Sequence, residues 1–211
     1  NVLTNANVIY ATRDDNFQQW KNLSVFENAE TNSVAVNPVT GEVFFDSKTD
    51  GYIYRFDKTK VDNRERLVQV NNSNGTEMRM AFNPEGTVLA ICVTNRHCIY
   101  KANYDIATRT LSTPVLWVGQ WNSSGYQEDL GGTAKLNKPF QGVFDNEGNF
   151  FFCDRENHVI RKIDANGQTT LWAGTPKEWG NIDGLPLESK LRDPEGLGIL
   201  NGGELYVTSR N

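Results

Sequence analysis

Cysteine, histidine and long apolar runs are all scarce in this chain. Three cysteines, Cys92, Cys98 and Cys153, are an odd count, so at least one thiol stays free. They form no Cys-x-x-Cys pair, which removes the usual cysteine spacing of a zinc site. Cys92 and Cys98 flank an expected hairpin, which leaves a cross-strand disulfide open beside the plainer reading of small buried hydrophobes. The two histidines, His97 and His158, fall short of the three or more ligands of a metal centre. No Gly-x-Ser-x-Gly elbow is present, so that form of serine hydrolysis has no nucleophile. No run approaches the roughly 20 apolar residues of a membrane span, and no signal peptide is visible at Asn1. Basic residues are not in excess either. Net charge is −5 with a pI of about 5.1, which argues against a nucleic-acid partner. The absent initiator Met reads as a mature chain or an excised segment.

What is present is a series of short strands punctuated by turns. Residues 139–174 state the pattern most clearly. Gln141 to Phe144 closes on Asn146-Glu147-Gly148, and Asn149 to Cys153 closes on Asp154-Arg155-Glu156-Asn157. His158 to Ile163 closes on Asp164-Ala165-Asn166-Gly167, and Gln168 to Ala173 follows. Four apolar runs with such breaks predict an antiparallel meander. The same unit recurs. Asn37-Pro38-Val39-Thr40-Gly41, Asn83-Pro84-Glu85-Gly86, Asp145-Asn146-Glu147-Gly148 and Asn201-Gly202-Gly203 form one column of turns. Tyr52 to Asp57 matches Val159 to Asp164, and the joint Ala134 to Pro139 matches Ser189 to Pro194. Repeats of about 40 residues with four strands each predict an all-β propeller. The blades are placed at roughly 1–28 (partial), 33–70, 78–118, 139–174 and 194–211 (partial). In the first, Phe17 to Trp20 and Leu23 to Phe26 are expected as two strands.

Asp154-Arg155-Glu156-Asn157-His158-Val159-Ile160-Arg161-Lys162-Ile163 resembles the signature of the NHL repeat. The match is specific in 139–174, good in 189–211 and weaker in 33–70 and 78–118, where Asp50-Gly51 and Arg96-His97 replace Asn-His. The Gly- and Asp-containing inserts before blades look like those of the Bacteroidetes secreted or surface NHL group. In that group propellers often follow an IPT/TIG module, which this chain does not contain. The resemblance implies a ring of usually six blades, an extracytoplasmic setting at the cell surface or in the periplasm, and an anchor on a lipoprotein N-terminus outside this sequence. Two readings of the ring stay open: the end segments form one composite blade, or the chain is an arc of a longer propeller.

Antiparallel order puts the turn between second and third strands on the same face as the link to the next blade. That rim carries Arg13, Arg96, His97, Arg155, Glu156 and His158 as ligand-binding candidates. The inserts 119–138 and 174–193 add Trp121, Tyr126, Trp179 and Asp183. Rings beside carboxylates and amides suit a glycan, and Trp, Tyr and Arg equally anchor a protein partner. Each has a plainer reading. Asp154, Asn157 and Ser47 close their own hairpins. Arg161, Lys162 and Arg55 lay their stems on neighbouring blades. Trp117 and Trp172 fill blade interfaces. The histidines occupy equivalent columns, which repetition alone explains. Trp121→Ala and Trp179→Ala are both expected to spare folding and weaken binding. No catalytic residue, metal or cofactor is assigned, and calcium has no ligand spacing to support it. Lactonase-like propellers hold a channel metal. Asn37, Asn83, Asp145 and Asn201 would be the ligands here, and they read better as turn residues. The expected role is non-catalytic binding or adhesion, against a propeller hydrolase or lyase, or a structural spacer.

Overall fold

A computed structural model describes residues 9–13, 20–25, 30–57, 59–60, 64–200 and 203–210; for the first two ranges it describes the backbone alone. Strand β1 (Ile9–Arg13) pairs with β2 (Trp20–Val25). One strand therefore runs where two were expected; Phe17 and Phe26 lie outside the described residues. The next unit is a four-stranded antiparallel sheet of β3 (Val34–Val36), β4 (Val43–Asp46), β5 (Tyr52–Phe56) and β6 (Arg64–Gln69). The third contains β7 (Met78–Phe82), β8 (Val88–Val93) and β9 (Cys98–Asp105). Its outer strand is split into β10 (Thr110–Leu111) and β11 (Val115–Gly119), both paired with the long β9. The fourth is β12 (Pro139–Phe144), β13 (Phe150–Asp154), β14 (Val159–Ile163) and β15 (Thr169–Ala173). A two-stranded sheet of β16 (Gly196–Ile199) and β17 (Leu205–Thr208) follows.

These are propeller blades. The first strands β3, β7, β12 and β16 lie against one another in succession and make the inner wall. The apolar cores lie between blades, because the sheets of the second, third and fourth blades are covered on both faces. Along β13, Phe150 and Phe152 face the preceding blade beside Trp117, Val118 and Leu136. Phe151 and Cys153 face the following one beside Phe140, Ile160 and Leu197. Burial on both faces is why β13 reads as a continuous apolar run rather than an alternating one.

The same two-sidedness settles the cysteines. Cys92 opposes Ile99, and Cys98 opposes Val93, so the pair are not cross-strand partners. Cys92 belongs to the core between the third and fourth blades, Cys98 to the core between the second and third. Opposite sheet faces cannot meet the Cβ geometry of a disulfide. All three thiols are free and buried.

One irregularity repeats. The fourth strands pair with the third through a register shift between Ile53 and Tyr54, between Leu116 and Val118, and between Ile160 and Arg161. The extra residues are Leu67, Trp117 and Trp172. A bulge re-aims the side chain at its bend, and Trp117 stacks on Phe144 of the next blade at 6.2 Å.

Candidate functional site

The turn between second and third strands is a short 3-10 turn closed by a left-handed residue. Thr94–Arg96 ends on His97 at φ 59°, and Arg155–Asn157 on His158 at φ 60°. Gly51, at φ 73°, takes this place in the second blade. Each turn meets a link between blades, as the strand order requires. Asn122 N–H donates to the Arg96 carbonyl at 3.0 Å, and Lys177 N–H to the Asn157 carbonyl at 2.9 Å. The rim is therefore formed by these turns together with the insert ends.

The histidines join blades. His97 Nδ1 accepts the Lys138 N–H at 3.2 Å, and His158 Nδ1 accepts the Asp193 N–H at 3.3 Å. Lys138 and Asp193 themselves have positive φ just before a first strand. Burial holds the His97 imidazole below its ordinary 6.5, partly opposed by Glu156. Protonation there removes the acceptor. A base whose folded pKa is lowered resists protonation while the unfolded chain accepts it, so stability is lost as pH falls below about 6.5. Asn tolerates the left-handed backbone. His97→Asn is expected to flatten the fall in urea midpoint between pH 7.5 and pH 5.5, relative to wild type.

The two inserts share one backbone. Gly125 N–H donates to Leu136 O at 3.0 Å and Gly180 N–H to Leu191 O at 3.1 Å; Gln127 bridges Lys135 as Ile182 bridges Lys190. Only their last six positions were matched from sequence. The first insert does not stay on the rim. Its middle lies along the far end of β15, with Thr169 N–H on the Asp129 carbonyl at 3.0 Å and Gly131 N–H on Gly167 O at 3.2 Å.

Its anchor is a buried polar knot. Arg161 and Asp154 are both fully buried and paired at 3.0 Å. Arg161 also donates to Lys135 O at 2.8 Å and Gln127 O at 2.7 Å. Asp154 accepts the Asn137 N–H at 2.7 Å, and Asn157 reaches both Asp154 and Gly125 O at 2.8 Å. Burial pushes the Asp154 carboxyl up, against the pull of Arg161, Asn157 and the Asn137 N–H. Asp154 and Asn157 thus hold a neighbouring insert more than their own hairpin, and Arg161 acts through its head rather than its stem. Arg55 does likewise. It reaches Glu65 at 2.5 Å, Glu42 at 3.1 Å and the Arg109 carbonyl of the next blade at 2.8 Å.

The candidates fall into separate groups. Arg96 lies over Trp121, 5.4 Å from its centroid, and donates to Asn122 Oδ1 at 3.0 Å. Trp121 is half-buried and edge-on to Tyr100, so Trp121→Ala will also perturb packing. Tyr126 covers the Arg161 guanidinium at 4.8 Å and donates to Glu128 at 2.7 Å. Glu156 pairs with Lys138. Arg155 pairs with Glu195 at 3.3 Å. Trp179 is 63% exposed, with Arg192 4.9 Å over its ring. Asp183 is exposed in the same insert. The Arg13 side chain lies outside the described residues. Asn37, Asn83 and Asp145 accept backbone N–H groups of their own turns; Asn201 lies outside the described residues. Among the described residues, no three His, Cys, Asp or Glu side chains gather to hold a metal. No helix there is long and apolar enough to cross a membrane.

No protein-family model matches the chain. An auxiliary nutrient binding protein from Bacteroides thetaiotaomicron is 29% identical, with a TM-score of 0.80, over 89% of this chain and 47% of its own. A putative phosphatase from the same organism is 25% identical, with a TM-score of 0.81, over 93% of this chain and 50% of its own. Protein SUPPRESSOR OF QUENCHING 1, chloroplastic, of Arabidopsis thaliana is 32% identical over 88 residues, 41% of this chain and 8% of that one. The chain thus spans about half the length of the two bacterial structures.

Proposed function

We propose that the protein is a non-catalytic binding propeller that holds a nutrient glycan on its insert-bearing face, at the cell surface or in the periplasm. The observation that carries this is Trp179. It is 63% exposed on an insert whose backbone is fixed, and Arg192 covers it at 4.9 Å. An aromatic ring held from one side by a guanidinium and exposed on the rest of its surface suits the C–H face of a pyranose, with Asp183 nearby in sequence to take hydroxyls. The likeness to an auxiliary nutrient binding protein supports a nutrient as the cargo.

Trp179→Ala is expected to keep the wild-type unfolding midpoint and weaken binding at least tenfold, in calorimetric titrations against a panel of plant and host polysaccharides. A folded variant that binds as well as wild type would sink the reading. A protein partner would appear as retained binding to host glycoprotein after enzymatic removal of its glycans. The second reading is a propeller hydrolase, favoured by the likeness to a putative phosphatase. Turnover of p-nitrophenyl phosphate by the purified protein, lost on dialysis against EDTA, would favour it.

A further inference from the structure

Two columns of the repeat meet where the inner wall reaches the insert-bearing face. Arg79, Phe140 and Glu195 hold equivalent positions near the starts of β7, β12 and β16. Arg155 and Arg210 hold equivalent positions just after β13 and β17. The Phe140 ring is bracketed by two guanidiniums, Arg79 at 4.3 Å and Arg155 at 4.9 Å from its centroid. Arg155 and Arg210 then converge on one oxygen of Glu195, at 3.3 and 2.8 Å. Glu77 offsets Arg79 at 2.5 Å. Arg79 is committed, its Nη1 to the Asn32 and Met78 carbonyls and its Nη2 to Glu77, with the Asp46 carboxylate also facing it. Arg155 and Arg210, by contrast, share the single carboxylate of Glu195, which leaves one positive charge of that pair in excess.

The arrangement has donors to spare. A guanidinium offers five N–H donors. Among the described residues, Arg155 donates through Nη1 and Arg210 approaches Glu195 through Nη2. Their other edges are uncommitted. Arg155 is held by Phe140 below and Glu195 beside it, which lowers the ordering cost of binding an anion. A blade clamp alone needs one cation per carboxylate, and here a second one shares the same oxygen.

We propose that Arg155 and Arg210, with Arg79 holding the Phe140 ring behind them, form an anion subsite at the channel mouth that takes the acidic substituent, carboxylate or sulfate ester, of the bound glycan. Planar bidentate recognition of such groups is what arginine does best. This rests on the insert-bearing face being the ligand side, and it adds that the ligand is acidic. Neutral glycans gain nothing from the subsite.

The test uses oligogalacturonate, its methyl ester, chondroitin sulfate and inorganic sulfate, with Arg155→Gln and Arg210→Gln. Arg210 is exposed, so its variant folds even where Arg155→Gln is strained. Wild type is expected to bind oligogalacturonate or chondroitin sulfate at least tenfold more tightly than the methyl ester, with affinity falling as salt rises. Each variant should lose at least fivefold of that preference. Preference for the carboxylated or the sulfated polymer identifies the substituent, and binding of inorganic sulfate alone would point to a free anion and overturn the glycan assignment. Equal binding of acid and ester, variants with wild-type preference, or no binding of any acidic probe would overturn the subsite. Loss of binding in Trp179→Ala alongside unaffected arginine variants leaves the face in place and removes only the subsite.

Discussion

Arg161→Ala is expected to lower the unfolding free energy by about 3–5 kcal/mol, since it strands a buried carboxylate. Arg161 and Asp154 are both fully buried. Truncation leaves Asp154 without its counter-charge and the carbonyls of Lys135 and Gln127 without their donor. Each of these groups then bears its desolvation cost unrelieved. The urea midpoint should fall with little change in slope. Arg161→Lys should recover little, because one ammonium cannot reproduce a planar fork that spans two carbonyls and a carboxylate. A loss below about 1 kcal/mol would mean that the pair is solvated and the insert anchored elsewhere.

Phe150→Ala should cost about 3–5 kcal/mol, the range for a fully buried aromatic ring. Phe150 is 1% exposed and packed against Phe144 at 4.8 Å and Trp117 at 5.9 Å. It also occupies the space above Gly142, where an added Cβ would lie 2.2 Å from the ring tip and 2.7 Å from the Phe151 carbonyl. Gly142→Ala alone should therefore destabilise by about 1–3 kcal/mol through overpacking. Together the two should cost less than their sum, because the added methyl part-fills the cavity. Simple additivity in urea unfolding would show that ring and glycine are not partners.

The second to fourth blades were legible because turn chemistry and strand length agree there; the first unit, where one strand runs in place of two, was not. The Asn83 and Asp145 turns, the left-handed residues Gly51, His97 and His158 in the turns after β4, β8 and β13, and the two-faced run of β13 all follow from local rules. The polar knot was not read, although a signal existed. In Val159-Ile160-Arg161-Lys162-Ile163 strand alternation puts Arg161 on the face of Val159 and Ile163, both fully buried. An arginine on that face needs a carboxylate, and Asp154, which opposes Val159 across the β13–β14 hairpin, is on the same face. The common fold of the two inserts was hidden for another reason. Backbone hydrogen bonds carry it, so Gly125 and Gly180 persist while Tyr126 and Asn181 differ. Sequence could not tell a ring used in packing, as Trp121, from one largely exposed, as Trp179. The channel-mouth arginines were read only in part, because Arg155 and Glu195 lie 40 residues apart in the chain and meet through blade geometry.

The central claim is that ligand binds the insert-bearing face. The opposite face offers the competing site, a depression of about 450 Å³ lined by Pro84, Phe144, Asp145, Glu147 and Leu200 among others. A glycan array probed in parallel with wild type, Trp179→Ala and Leu200→Ala decides between them. Leu200 is exposed, so its variant should fold. Signal lost in Trp179→Ala and kept in Leu200→Ala is the predicted result. Signal kept in Trp179→Ala and lost in Leu200→Ala would contradict it.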